Sequence, residues 1–77
     1  MSIISVNTRN QFQGRVVGIN RSPVVSEIEV ETAAGIINAV VTTSSIERLG
    51  LRVGDEALAL FKATEVLIAR LGGPGNG

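Results

Sequence analysis

From Val24 to Glu31 the chain reads V-V-S-E-I-E-V-E, a strict two-residue alternation. A strand turns successive side chains to opposite faces. Val24, Ser26, Ile28 and Val30 therefore share one face, and Val25 shares the other with Glu27, Glu29 and Glu31. Helical winding would scatter the three carboxylates around the axis, so this pattern reads as a strand with one face on a core and one in water.

The neighbouring segments fit that frame. Gln13 to Ile19 is β-branched and carries Gly14 and Gly18, a spacing that points to bulges or sharp coiling inside a strand. Asn20 to Pro23 has turn chemistry. Thr32 to Gly35 predicts a loop of about four residues, with Ile36 to Thr42 returning as the other arm of a hairpin. Ser44 and Glu47 have the spacing of a capping box, Ile46 and Leu49 share a helical face, and Gly50 suits a C-terminal cap. A helix of roughly six residues is expected there. Leu51 to Asp55 turns the chain into a strand from Glu56 to Phe61. Lys62 to Glu65 breaks the pattern, and Val66 to Leu71 reads as a last strand. The Gly-rich tail 72–77 has the composition of a disordered end.

About five short strands and one short helix predict an all-β domain. An OB-like Greek-key barrel is the first expectation and an SH3-like barrel the second, because closing a small sheet removes its unpaired edges. A chain of 77 residues holds one core, so residues 1–71 are expected to form a single domain.

Composition narrows the function. The chain has no cysteine and no histidine, so it offers no disulfide and no Cys/His metal site, and a hydrolytic enzyme is disfavoured. Seven basic and seven acidic residues balance, and the only aromatics are two phenylalanines, which argues against a nucleic-acid binder built on charge and base stacking. No apolar run reaches the roughly 20 residues of a membrane span, and no charged segment leads into an apolar one as in a signal peptide. A non-catalytic cytoplasmic binding or assembly module is the expectation that remains. Charge is also uneven: residues 1–26 hold Arg9, Arg15 and Arg21 with no acid among them, a local excess that an anion would neutralise.

Three segments resemble the molbindin family, the small Mop-type molybdate-binding domains also called TOBE domains. Asn7-Thr8-Arg9-Asn10-Gln11-Phe12-Gln13-Gly14-Arg15-Val16 is similar to the family's opening S-A-R-N-Q-x-x-G-x-V. Thr42 to Gly54 is similar to I-T-x-x-S-V-x-E-L-G-L-x-x-G, and Leu60 to Val66 to V-x-K-[AS]-[ST]-[DE]-V. The resemblance implies an OB-type barrel assembled as a homohexamer, a trimer of dimers, with molybdate or tungstate held between subunits. It implies oxyanion ligands at Asn7, Thr8 and Arg9 and at Lys62, Ala63 and Thr64, with Thr42, Thr43 and Ser44 as further anion contacts. Asn7 stands where the family has serine, and Ala63 can offer only its backbone N–H.

The residues suit such a ligand on chemical grounds as well. A tetrahedral dianion needs donors and positive charge, not metal-ligating side chains. Arg9 brings a guanidinium fork, Lys62 is the only lysine in the chain, and Thr8 and Thr64 add hydroxyls. Glu65 would repel an anion, so its carboxylate is expected to point away. With 44% hydrophobic residues the chain has more apolar surface than one small barrel hides, and Val25, Ile36, Leu67 and the phenylalanines are candidate subunit contacts. The competing expectations are an OB-type nucleic-acid module and a purely structural assembly domain. Storage or homeostasis of molybdenum is the role that the resemblance implies.

Overall fold

The computed structural model describes residues 9–72. Asn7 and Thr8, and the tail from residue 73 onward, lie outside the described residues. Four strands, one helix and a single 3-10 turn follow in order: β1 Asn10–Arg21, β2 Val25–Thr32, β3 Gly35–Thr42, α1 Thr43–Leu49, β4 Glu56–Phe61 and η1 Ala63–Glu65. The strands form one antiparallel sheet ordered β3-β2-β1-β4. It curls into a half-barrel, which agrees with the OB-like expectation.

β1 is the shared strand. Residues 10–15 pair with β4, and residues 14–21 pair with β2. The register slips between Val16 and Gly18, so Val17 is an extra residue that bends the strand as a bulge does. The turn before β4 anchors at this bend. Gly54 N–H donates to the Val16 carbonyl (2.8 Å), and Val16 N–H to the Asp55 carbonyl (2.9 Å).

The two glycines of β1 serve different ends. A Cβ on Gly14 would lie 2.1 Å from the Glu31 carbonyl oxygen of the neighbouring strand, so the strands approach too closely there for any side chain. A Cβ on Gly18 would meet only the movable end of the Glu29 side chain.

The alternation of β2 holds: Ser26, Ile28 and Val30 are buried, and Glu27 and Glu31 are exposed. Val24 lies outside the strand and is exposed, because the chain is still leaving the turn there. The β2–β3 hairpin is tighter than expected. Thr32 pairs with Gly35, which leaves a loop of only Ala33 and Ala34.

Val16, Ile28, Val30 and Ile46 form the buried core, with Ile19, Val41, Leu51 and Ala57 packed against them. Ile46 places α1 over the core, and Leu49, expected on the same face, is exposed, since seven residues make too short a helix to cover two layers. The helix starts earlier than the Ser44 capping box predicts. Thr42 is the N-cap, with its Oγ1 accepting from Ser45 N–H (3.2 Å). Thr43 Oγ1 donates to the Ser22 carbonyl (2.6 Å) and lies 2.7 Å from the buried Ser26 Oγ, which fixes the start of the helix against β2 and the turn before it. Thr42→Ala should cost about 1 kcal/mol of stability, typical of a lost N-cap. Urea unfolding would measure it, and Ser44→Ala in the same assay should change little. Gly50 ends the helix at φ +66°, the left-handed conformation expected of it.

The last expected strand is not formed within the chain. Val66 to Leu71 carries no ladder hydrogen bonds, and Leu67 (94%), Ile68 (89%) and Leu71 (88%) are exposed. η1 turns the chain off the end of β4, and a strand without a neighbour has nothing to pair with. No helix among the described residues is long and apolar enough to cross a membrane.

Candidate functional site

Two groups of residues singled out by the sequence come together at one end of the sheet. Asn10 pairs with Phe61 in the β1–β4 ladder. Arg9 immediately precedes that ladder on β1, and Lys62 immediately follows it on β4. Two cations 53 positions apart in sequence thus flank the same end of the sheet.

The backbone beside them is irregular. Lys62 is extended (φ −76°, ψ 145°) and leads into η1, where Glu65 N–H donates to the Lys62 carbonyl (2.9 Å) and Val66 N–H to the Ala63 carbonyl (3.4 Å). Lys62 has no side-chain cap bond to this turn. Behind the pair, the Phe12 and Phe61 rings pack at 5.8 Å between centroids, tilted by 47°. That contact holds the end of the β1–β4 ladder in register. Arg9, Lys62, Ala63 and Thr64 are all exposed. An exposed pair of cations attracts an anion only weakly, because water and salt screen it.

Thr42, Thr43 and Ser44 lie elsewhere. Thr42 pairs with Val25, and Ser26 pairs with Arg21 at the far end of β1 from Arg9. With 12 residues in β1, the two ends are separated by about 35–40 Å of strand at ~3.3 Å per residue. One anion does not bridge them within a single chain.

The hydroxyls at that end are already engaged. Thr42 caps the helix, Thr43 reaches Ser22 and Ser26, and Ser44 Oγ donates to Thr42 Oγ1 over 3.4 Å. Two residues that sequence reasoning passed over belong to this cluster. Ser45 Oγ lies 2.6 Å from Thr42 Oγ1, and an Arg48 guanidinium N–H donates to Ser45 Oγ (3.3 Å). Arg48 sits three residues after Ser45, a spacing that puts both on one helix face and was legible in the sequence.

The model of the TOBE domain matches residues 7–68. The chain belongs to the TOBE domain family. Its similarity extends to whole small proteins of that type. It is 38% identical over 66 residues to the molybdenum-pterin-binding protein 2 of Clostridium pasteurianum, covering 84% of this chain and 97% of the relative. Among solved structures, MopII from C. pasteurianum superposes with a TM-score of 0.81 at 37% identity, covering 86% of this chain and all of MopII. A molybdate-binding protein from Sporomusa ovata superposes equally well, TM-score 0.81 at 28% identity, over 87% of this chain and all of that one. The TOBE match therefore bears out the resemblance carried by the three motifs, and the MopII match bears out the OB-like fold.

Proposed function

We propose that this TOBE domain is a non-catalytic oxyanion-binding protein that takes molybdate or tungstate for molybdenum storage or homeostasis in the cytoplasm. The observation that carries the reading is the β1–β4 ladder, whose last pair, Asn10 with Phe61, brings the segments of Arg9 and Lys62 to one end of the sheet beside the irregular backbone of Ala63 and Thr64. The molybdenum-binding and molybdate-binding relatives supply the identity of the anion. The ligand set is Asn7, Thr8, Arg9, Lys62, Ala63 and Thr64. Arg9 and Lys62 give charge-assisted bonds, the threonines give hydroxyl donors, and Ala63 gives its N–H. Thr42, Thr43 and Ser44 would contact a second anion at the other end of the sheet, with Ser44, whose present bond is long, as the freest donor.

A single copy leaves Arg9 and Lys62 in water, so the anion is held between subunits of a homo-oligomer, as a hexamer built from three dimers. A covering subunit removes the screening and makes each bond stronger. Neither nucleic acid nor membrane is a partner in this reading. The test is calorimetric titration with molybdate, with sulfate as control and particle mass measured on the same sample. The expected result is tight molybdate binding, weaker sulfate binding and a hexamer, with a melting temperature that rises with molybdate. No heat, or equal heats for both anions, would leave a shared fold without a site.

A further inference from the structure

Arg9 and Lys62 lie just beyond the last rung of a ladder that is supported on one side. β4 stands at the end of the strand order, so among the described residues its partner in the sheet is β1 alone. The outermost pair of that ladder, Asn10 with Phe61, is the one next to both cations. The end of an edge strand is where a sheet opens first, because local opening there costs little. Both cations hang from this rung, so their places are fixed only while it is closed.

An aromatic contact resists the opening. Phe12 stands opposite Ala59 and Phe61 opposite Asn10, so the two rings meet diagonally across the ladder. Diagonal neighbours in a ladder are about 7–8 Å apart at the backbone, and only large side chains bridge that distance. Here the ring centroids are 5.8 Å apart with the planes tilted by 47°, within the separation at which aromatic pairs attract. Phe12 is 39% exposed and stands outside both the buried core and the residues packed on it. The pair therefore acts on this end of the ladder more than on the core.

We propose that Phe12 and Phe61 are the positioning residues of the anion site. Their contact keeps the Asn10–Phe61 rung closed, and the closed rung holds Arg9 and Lys62 ready for an oxyanion that neither ring touches. A site that is open part of the time binds more weakly, in proportion to the fraction that is closed. An aromatic pair is strong enough to change that fraction by about 2- to 10-fold. The inference rests on the anion reading above and adds to it two residues with no charge and no donor in their side chains.

Molybdate titration of Phe12→Leu, Phe12→Tyr and Phe61→Leu tests it, with backbone amide exchange measured on the same proteins in anion-free buffer. Leucine keeps an apolar side chain and removes the ring. Tyrosine keeps the ring, and its hydroxyl can reach water from this position. Phe12→Leu is expected to bind molybdate about 2- to 10-fold more weakly than the unaltered chain. Exchange should quicken over residues 10–12 and 59–61 and stay unchanged in β2 and β3. Phe12→Tyr should restore both the affinity and the slow exchange. Phe12→Leu combined with Phe61→Leu should lose no more affinity than the more damaging single change, because either one already breaks the pair. Ile19→Val, which trims a residue packed on the core, is the stability control and should keep the affinity of the unaltered chain. Undiminished binding by Phe12→Leu would overturn the positioning role. So would a tyrosine variant as weak as the leucine one, or losses that add in the double variant. An unaltered chain that gives no heat with molybdate would instead remove the anion reading and this role together.

Discussion

Lys62→Ala is expected to weaken molybdate binding by roughly 10- to 100-fold while leaving the fold intact. A hydrogen bond to a charged group contributes about 1.5–3 kcal/mol, and about 1.4 kcal/mol is a factor of ten in affinity. Lys62 is exposed and makes no cap bond in the 3-10 turn, so its removal should change stability by no more than about 0.5 kcal/mol. Arg52→Ala, an exposed cation in the turn before β4, serves as the control for net charge. Paired titrations check the difference. Equal losses in both variants would show that the anion responds to overall charge and not to a site at the end of β1 and β4.

Gly14→Ala should be among the most damaging single methyl additions to the sheet. The new Cβ would stand 2.1 Å from a backbone oxygen, and backbone moves only by parting β1 from β2. Overpacking of this kind costs about 1–3 kcal/mol, a large share of what a domain of this size has to spare. Gly18→Ala meets a flexible carboxylate end instead and should cost much less. Urea midpoints of the two variants test the contrast, and similar midpoints would mean that the strand interface gives way at both positions.

These two glycines show where sequence reading stops. Both stand inside a β-branched run, and both read as strand irregularities. Only the β1–β2 register reveals that one lies against a carbonyl and the other beside a bulge. Local pattern was sufficient elsewhere: the alternation of β2 placed Ser26, Ile28 and Val30 inward, and β4 runs from Glu56 to Phe61 as its apolar pattern predicts.

The helix start was harder, because Thr42, Thr43, Ser44 and Ser45 are all able to cap. The choice falls to Thr42 because Thr43 is tied to Ser22 and Ser26, which is a tertiary fact. Val66 to Leu71 misled for a related reason. Composition states that a segment suits a sheet, but not whether a neighbouring strand is there to pair with it. That Arg9 and Lys62 flank the same end of the sheet likewise depends on a ladder between distant strands, so composition could nominate each cation but not their shared location.

The packing of Phe12 on Phe61 has a practical outcome. These are the only aromatic residues in the chain; Phe61 pairs with Asn10 at the end of the ladder and directly precedes Lys62, and Phe12 lies two residues further along β1. The protein's entire aromatic ultraviolet signature thus arises from a single location beside the proposed anion. A near-ultraviolet dichroism spectrum, which in most proteins averages over many rings, would act here as a built-in optical gauge of that one end of the sheet.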